Sequence, residues 1–246
     1  MRRTERGLRG RSKPRRRSGF TLVELLVVIA IIALLAATLL PALAGARHRA
    51  QEASCISQLR QWAVALLLYV DDHSGFIPWE GARSDPDRPD AWYNTLPGYF
   101  ASPNWSELRR AGRPVAPGAR RSVFVCPAAP RSPVQPYWGY GINFMLLNTR
   151  GDFGLPAVPR RRIEAIRSPS AVVCMTDKGA TPDEGESHPT ANPNYDYKSY
   201  WHRSGANVLF CDGHVGWYPG SRLRGAFQTH PTRLDEELVW VPDALR

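Results

Sequence analysis

The chain is predicted to be α+β, with one long N-terminal helix followed by a small, mostly antiparallel β-sheet head carrying long loops. Three observations carry this expectation. Residues 20–40 form an apolar run whose only polar side chains are Thr21, Glu24 and Thr38. Apolar residues at helical spacing continue from it to about Asp71. Beyond that point, short β-branched and aromatic runs separated by Pro, Gly, Asn and Asp take over.

The N-terminal segment comes first. Nine basic residues (Arg2, Arg3, Arg6, Arg9, Arg11, Lys13, Arg15, Arg16, Arg17) precede Gly19 and the apolar run. At about 1.5 Å per residue, residues 20–40 reach roughly 31 Å, the thickness of the bilayer hydrocarbon. That is a spanning helix, longer than the ~7–15 apolar residues of a secretory signal. The basic flank keeps the N-terminus in the cytoplasm and sends the rest across. Glu24 is the anomaly, because a carboxylate in such a helix costs on the order of a few kcal/mol unless it is paired, protonated or near the headgroups. A cut after Gly19 would free the amino group of Phe20 one helical turn from Glu24, and a neighbouring chain's amine could pair with it.

The stretch Gly19-Phe20-Thr21-Leu22-Val23-Glu24-Leu25-Leu26-Val27-Val28-Ile29-Ala30-Ile31-Ile32 resembles the processing and methylation segment of type IV prepilins and type II secretion pseudopilins. The resemblance implies cleavage by a prepilin peptidase between Gly19 and Phe20, methylation of the new N-terminus, and a salt bridge from Glu24 to the next subunit. Pro41 falls where many pilins carry a helix-kinking proline. The implied partners are the peptidase, other pilin or pseudopilin subunits, an inner-membrane assembly platform and membrane lipid. The implied location is the inner membrane, single-pass, with the head on the exported side and incorporation into a surface or periplasmic filament.

The charge balance supports a division at Gly19. The chain holds 32 basic and 22 acidic residues, a net +10. Residues 1–19 carry nine of the basic groups and one acidic group (Glu5), a net +8, which leaves 23 basic against 21 acidic, or +2, in residues 20–246. A sequence pI near 9.9 would otherwise point to nucleic acid. Most of that excess belongs to the leader, so no nucleic-acid partner is expected.

Beyond Leu40, the residues Leu43, Ala46, Ala50, Ala53, Leu59, Ala63, Leu66 and Val70 mark one packing face, and Asp71-Asp72-His73-Ser74-Gly75 supplies the stop. The expected organisation is a leader (1–19), a long helix (20–71, with 20–40 in the membrane) and an α+β head (72–246). In the head, strand-like runs occur at Ser122 to Cys126, Tyr137 to Leu147, Ala171 to Thr176, Ala206 to Cys211, His214 to Tyr218 and Leu238 to Val241. Residues 76–121 and 178–200 read as loops. The Asp212-Gly213 pair between two strand-like runs is a strong hairpin signal.

His202 followed after nine residues by Asp212-Gly213 resembles the H-x9-DG segment found near the C-terminus of a large class of prepilin-like proteins. Phe124-Val125-Cys126-Pro127 and Tyr140-Gly141-Ile142-Asn143 resemble blocks of the same class. The resemblance implies a pilin-like architecture but assigns no chemistry to the histidine. From the residues alone, His202 reads first as a structural group bonded to the Asp212 turn. A metal site built from His202, Asp212 and His214 is the rival.

Some pseudopilins of this architecture bind calcium in head loops, so the resemblance also raises calcium. Asp177, Asp183, Glu184, Glu186, Asp196 and Asp212 offer hard oxygen ligands, with Asp177, Asp196 and Asp212 as the metal candidates. The four cysteines, Cys55, Cys126, Cys174 and Cys211, would lie on the exported side, where disulfides are permitted. Cys174 and Cys211 each end a strand-like run and are the candidate pair, against four buried thiols. No nucleophile, phosphate-loop or CxxC motif is present.

The leading expectation is a structural assembly subunit, not an enzyme, with no cofactor beyond the calcium candidate. One rival is an exported protein cut by signal peptidase after Ala44 or Ala46, since Ala42-Leu43-Ala44 and Ala44-Gly45-Ala46 follow the apolar run. The other is a membrane-anchored or exported metal-binding protein or enzyme using His202 and Asp212.

Overall fold

The computed structural model describes residues 20–82, 85–113, 122–129, 138–147, 160–178, 190–191, 201–223 and 238–240. Gly19 and the rest of the leader lie outside the described residues, as do Asp183, Glu184, Glu186 and Asp196. The first element, α1, runs from Leu22 to Asp72 and continues through Pro41 as helix. The chain divides into two units, Met1–Ala46 and Arg47–Arg246.

The first unit contains the apolar part of α1. Phe20 and every residue of α1 up to Ala50 are exposed, and an eighteen-residue window with mean hydropathy 2.9 makes the helix long and apolar enough to cross a membrane. Exposure of this many Leu, Ile and Val side chains in water would be strongly unfavourable, so this surface belongs in lipid or in a helical bundle.

In the second unit, the remainder of α1 packs on the head. Glu52, Cys55, Leu59, Trp62, Ala63, Ala65, Leu66, Tyr69 and Val70 are buried, at the three- and four-residue spacing of one helix face. The expected stripe matches from Leu59 onward. Before it, Ala50 and Ala53 are exposed, and Glu52 and Cys55 turn inward instead. After Asp72, Ser74 and Gly75 take positive φ (56° and 83°) and end the helix.

Residues 76–121, expected as loop, contain two short helices, α2 (Trp92–Thr95) and α3 (Trp105–Arg110), with a 3-10 turn at Leu96–Phe100 between them. Asn104 caps α3: its side chain accepts from Glu107 N, and Glu107 returns the bond to Asn104 N. Four residues of spacing cannot reveal such helices by periodicity; aromatic packing holds them. Trp62, Trp92, Tyr93, Trp105, Phe124 and Trp138 form one contiguous cluster, with Trp105 and Trp138 stacked at 3.5 Å and Trp62 edge-on to Trp92 at 5.2 Å.

The sheet has five strands in the order β3-β1-β2-β4-β5: β1 (Tyr140–Asn143), β2 (Val173–Asp177), β3 (Thr190–Ala191), β4 (Gly205–Phe210) and β5 (Val215–Pro219). All pairings are antiparallel except β1 with β3. The Asp212-Gly213 hairpin forms as expected, with Leu209 opposite Val215 and Gly205 opposite Pro219. Alternation along β4 sends Ala206, Val208 and Phe210 to one cluster and Leu209 to the cluster that contains the buried face of α1. The run from Ser122 to Cys126 is a set of turns rather than the expected strand. Two of its carbonyls are taken by α1 instead of by a neighbouring strand: Trp62 Nε1 donates to Val123 O (3.2 Å) and Gln58 Nε2 to Ser122 O (3.5 Å).

Candidate functional site

Two places carry the candidate functional residues. At the start of α1, Thr21 is the N-cap: its carbonyl accepts from Leu25 N at 3.2 Å, and its Oγ1 accepts from Glu24 N at 3.2 Å. Glu24 Oε2 in turn accepts from Thr21 N and Thr21 Oγ1, both at 2.8 Å. The pair is a capping box. Glu24, an anomaly by hydropathy, therefore has a local partner, and the Thr-x-x-Glu spacing that signals it stands in the sequence. Both of these bonds land on Oε2; among the described residues Oε1 accepts none, which leaves it free for a further donor.

The second place lies in the head around His202. Its backbone is held by Gly205 N, which donates to His202 O at 2.9 Å, and by Trp217 Nε1, which donates to the same carbonyl at 2.8 Å. The following residues, Arg203 and Ser204, take positive φ (50° and 60°), turning the chain into β4. Arg203 Nη2 reaches Glu52 Oε1 on α1 at 2.6 Å. His202 is thus fixed by the strand pair that follows it and by the helix beneath.

The ring of His202 does not bond the Asp212 turn. Its Nε2 lies 3.1 Å from Asp177 Oδ2, at the end of β2, and 3.2 Å from Cys126 Sγ. Asp177 is oriented by Asn207, whose backbone N donates to Oδ1 and whose Nδ2 donates to Oδ2. Asp212 pairs with His214 instead: Oδ1 accepts from His214 N at 3.1 Å and faces Nδ1 at 2.6 Å, on an exposed turn. The set His202, Asp212 and His214 is therefore corrected, because a two-residue step across the turn places His214 beside Asp212 while His202 is drawn inward. Gly213 has φ of +93°, a backbone state that explains the glycine of the Asp-Gly pair.

The cysteine expectation is corrected as well. The disulfide joins Cys55 to Cys126, with Cα atoms 5.5 Å apart, inside the range such a bond requires. Cys174 and Cys211 are buried free thiols. They are neighbours, as their strands suggested, but the Cys211 thiol is pushed well up by its hydrogen bond with Cys174 and by burial, which keeps Cys211 an inert small hydrophobe. Cys55 lies one helical turn before Leu59 on the buried face of α1, where the sequence stripe places Ala53. Its partner Cys126 sits in a turn with no periodicity.

With this geometry in place, comparison with known proteins adds the N-terminal assignment. Residues 14–40 match the family described as Prokaryotic N-terminal methylation motif. A stretch of 68 residues is 44% identical to the type IV wide pilus major component PilA4 of Thermus thermophilus, covering 28% of this chain and 52% of that protein. The chain is type IV pilin-like. It spans about half the length of this curated relative, and no solved structure matches it. Membrane anchoring through the apolar part of α1 follows from the motif and the hydropathy together. The architecture of the pilin-like chain, a long helix packed at its C-terminal part on a small sheet, agrees with the α+β expectation.

Proposed function

We propose that the protein is a prepilin-like structural subunit, a minor pilin or secretion pseudopilin, processed by a prepilin peptidase after Gly19 and assembled through α1 into a pilus or pseudopilus. The match of residues 14–40 to the methylation motif carries this reading. The precursor sits single-pass in the inner membrane with the head exported; the released Phe20 amine is methylated, and Glu24 pairs with the N-terminus of an adjoining subunit. The unengaged Oε1 of Glu24 supports that pairing, since the carboxylate can keep its own cap while accepting a foreign ammonium.

Burial supports a structural role over catalysis in the head. His202 is 3% exposed, Asp177 2%, Cys126 1% and Cys55 0%, so among the described residues these groups face no open cleft that could hold a substrate.

N-terminal sequencing and mass spectrometry of the protein produced together with a prepilin peptidase test the proposal. A chain beginning at methylated Phe20 is the expected result. A start at Gly45 or Arg47 would assign the protein to signal peptidase and overturn it.

A further inference from the structure

Four side chains distant in sequence converge in the head. Cys55 comes from α1, Cys126 from the turn packed on it, Asp177 from the end of β2, and His202 from the turn before β4. Their ligand-capable atoms lie within 4.8 Å of one another, and all four residues are buried. A nucleophile, base and orienter would use the two different nitrogens of the imidazole. Here the Cys126 sulfur and the Asp177 oxygen both face the same nitrogen, Nε2. One proton on Nε2 serves one neighbour well, whereas several lone-pair atoms directed at a common point are the arrangement of ligands around a cation.

We propose that Cys55, Cys126, Asp177 and His202 form a four-ligand site for a zinc-class divalent cation, mutually exclusive with the Cys55–Cys126 disulfide. Two sulfurs, one imidazole nitrogen and one carboxylate oxygen are a soft-to-borderline donor set, which suits zinc and disfavours calcium or magnesium. A tetrahedral site with bonds of about 2.0–2.3 Å sets its ligand atoms about 3.3–3.8 Å apart, a spacing that the observed convergence accommodates with side-chain adjustments. The outer partner is already present: Asn207 holds the carboxylate through both oxygens, the role that second-layer hydrogen bonds play at metal sites.

The redox step balances as follows. A dithiol reductant transfers two electrons and two protons to the Cys55–Cys126 bond and leaves as its own disulfide, giving two thiols. A divalent cation then binds the two sulfurs as thiolates with His202 Nε2 and Asp177 Oδ2, and the two thiol protons pass to solvent. Either state ties α1 to the head at Cys55. The head therefore keeps a staple in both oxidising and reducing surroundings, by covalent bond in one and by metal in the other.

The full-length protein in detergent, reduced with dithiothreitol until all four cysteines titrate as thiols and then freed of reductant without oxygen, is titrated with Co2+. Reduced protein is expected to bind one cobalt per chain, with thiolate-to-cobalt charge-transfer absorption and the visible bands of a tetrahedral ion, and zinc should displace it. Oxidised protein should show neither band.

His202→Gln and Asp177→Asn, checked for folding by circular dichroism, should weaken binding by more than the ~10–100-fold lost with an outer partner. A Cys174→Ala/Cys211→Ala variant should bind as the parent does. No charge-transfer band in the reduced parent, an unchanged band in folded His202→Gln, or loss of the band with Cys174 and Cys211 would each overturn the proposal. The parent's redox dependence decides the matter even where a variant fails to fold.

Discussion

Asn207 grips Asp177 with two hydrogen bonds, its backbone N donating to Oδ1 at 2.9 Å and its Nδ2 to Oδ2 at 2.8 Å. Both residues are buried in the sheet, Asn207 on β4 and Asp177 on β2. Asn207→Ala removes one of the two partners of the buried Asp177 Oδ2, leaving His202 Nε2 at 3.1 Å, which costs about 1–3 kcal/mol. Urea unfolding of the variant should show a lower midpoint with an unchanged slope.

The Cys55–Cys126 bond closes a loop of 71 residues. On the chain-entropy estimate it stabilises the head by about 4 kcal/mol. In metal-free buffer, reduction or a Cys55→Ala/Cys126→Ala variant should therefore lower the thermal midpoint by several degrees. A Cys174→Ala/Cys211→Ala variant should remain sensitive to reductant, since its disulfide is intact.

Gly213 sits between β4 and β5 at φ +93°. A side chain there meets no backbone obstacle, since the nearest atom to an added Cβ is Leu67 Cδ1 at 3.5 Å. The cost of Gly213→Ala is thus conformational, about 1–3 kcal/mol, and should be read as a loss of stability without a change in the sheet's circular dichroism.

Tyr93 is buried and donates to Asp85 O at 2.9 Å and Ala82 O at 3.2 Å. Burial pushes its phenol up from 10.0 to about 12. The folded state thus holds a proton that the unfolded state releases from pH 10 upward, so its contribution is full below that pH and is lost as pH rises toward 12. Denaturation measured across this window should show falling stability, and Tyr93→Phe should flatten that part of the profile.

Glu24→Gln separates two roles of one residue. Glutamine at this position can still close the capping box with Thr21, but it carries no charge for a neighbour's ammonium. Membrane insertion and processing should persist while recovery in sheared filaments falls to background. Normal filament recovery would reduce Glu24 to its cap.

Legibility differed sharply between the two ends of the chain. The apolar run, the helix stop at His73 to Gly75 and the Asp212-Gly213 hairpin rest on contacts between residues close in sequence, and composition and spacing expose them. The helices α2 and α3 leave no periodic mark in the sequence because four to six residues are too few for a period, and they owe their form to packing around Trp92, Trp105 and Trp138. The Ser122 to Cys126 run reads as strand in sequence because burial in turns against α1 selects the same apolar residues as burial in a sheet.

The head site divides along the same line. Glycine at 213 and the inward face of α1 from Leu59 onward are local consequences of backbone conformation and helical period, so the amino-acid order specifies them. The meeting of Cys55 with Cys126, and of His202 with Asp177 rather than Asp212, depends on how the helix, a turn and two strands pack. These pairs lie 71 and 25 positions apart, and nothing in local spacing distinguishes them from the other cysteines and acids. Burial of the α1 face against the sheet brings them together, and only the folded chain reveals it.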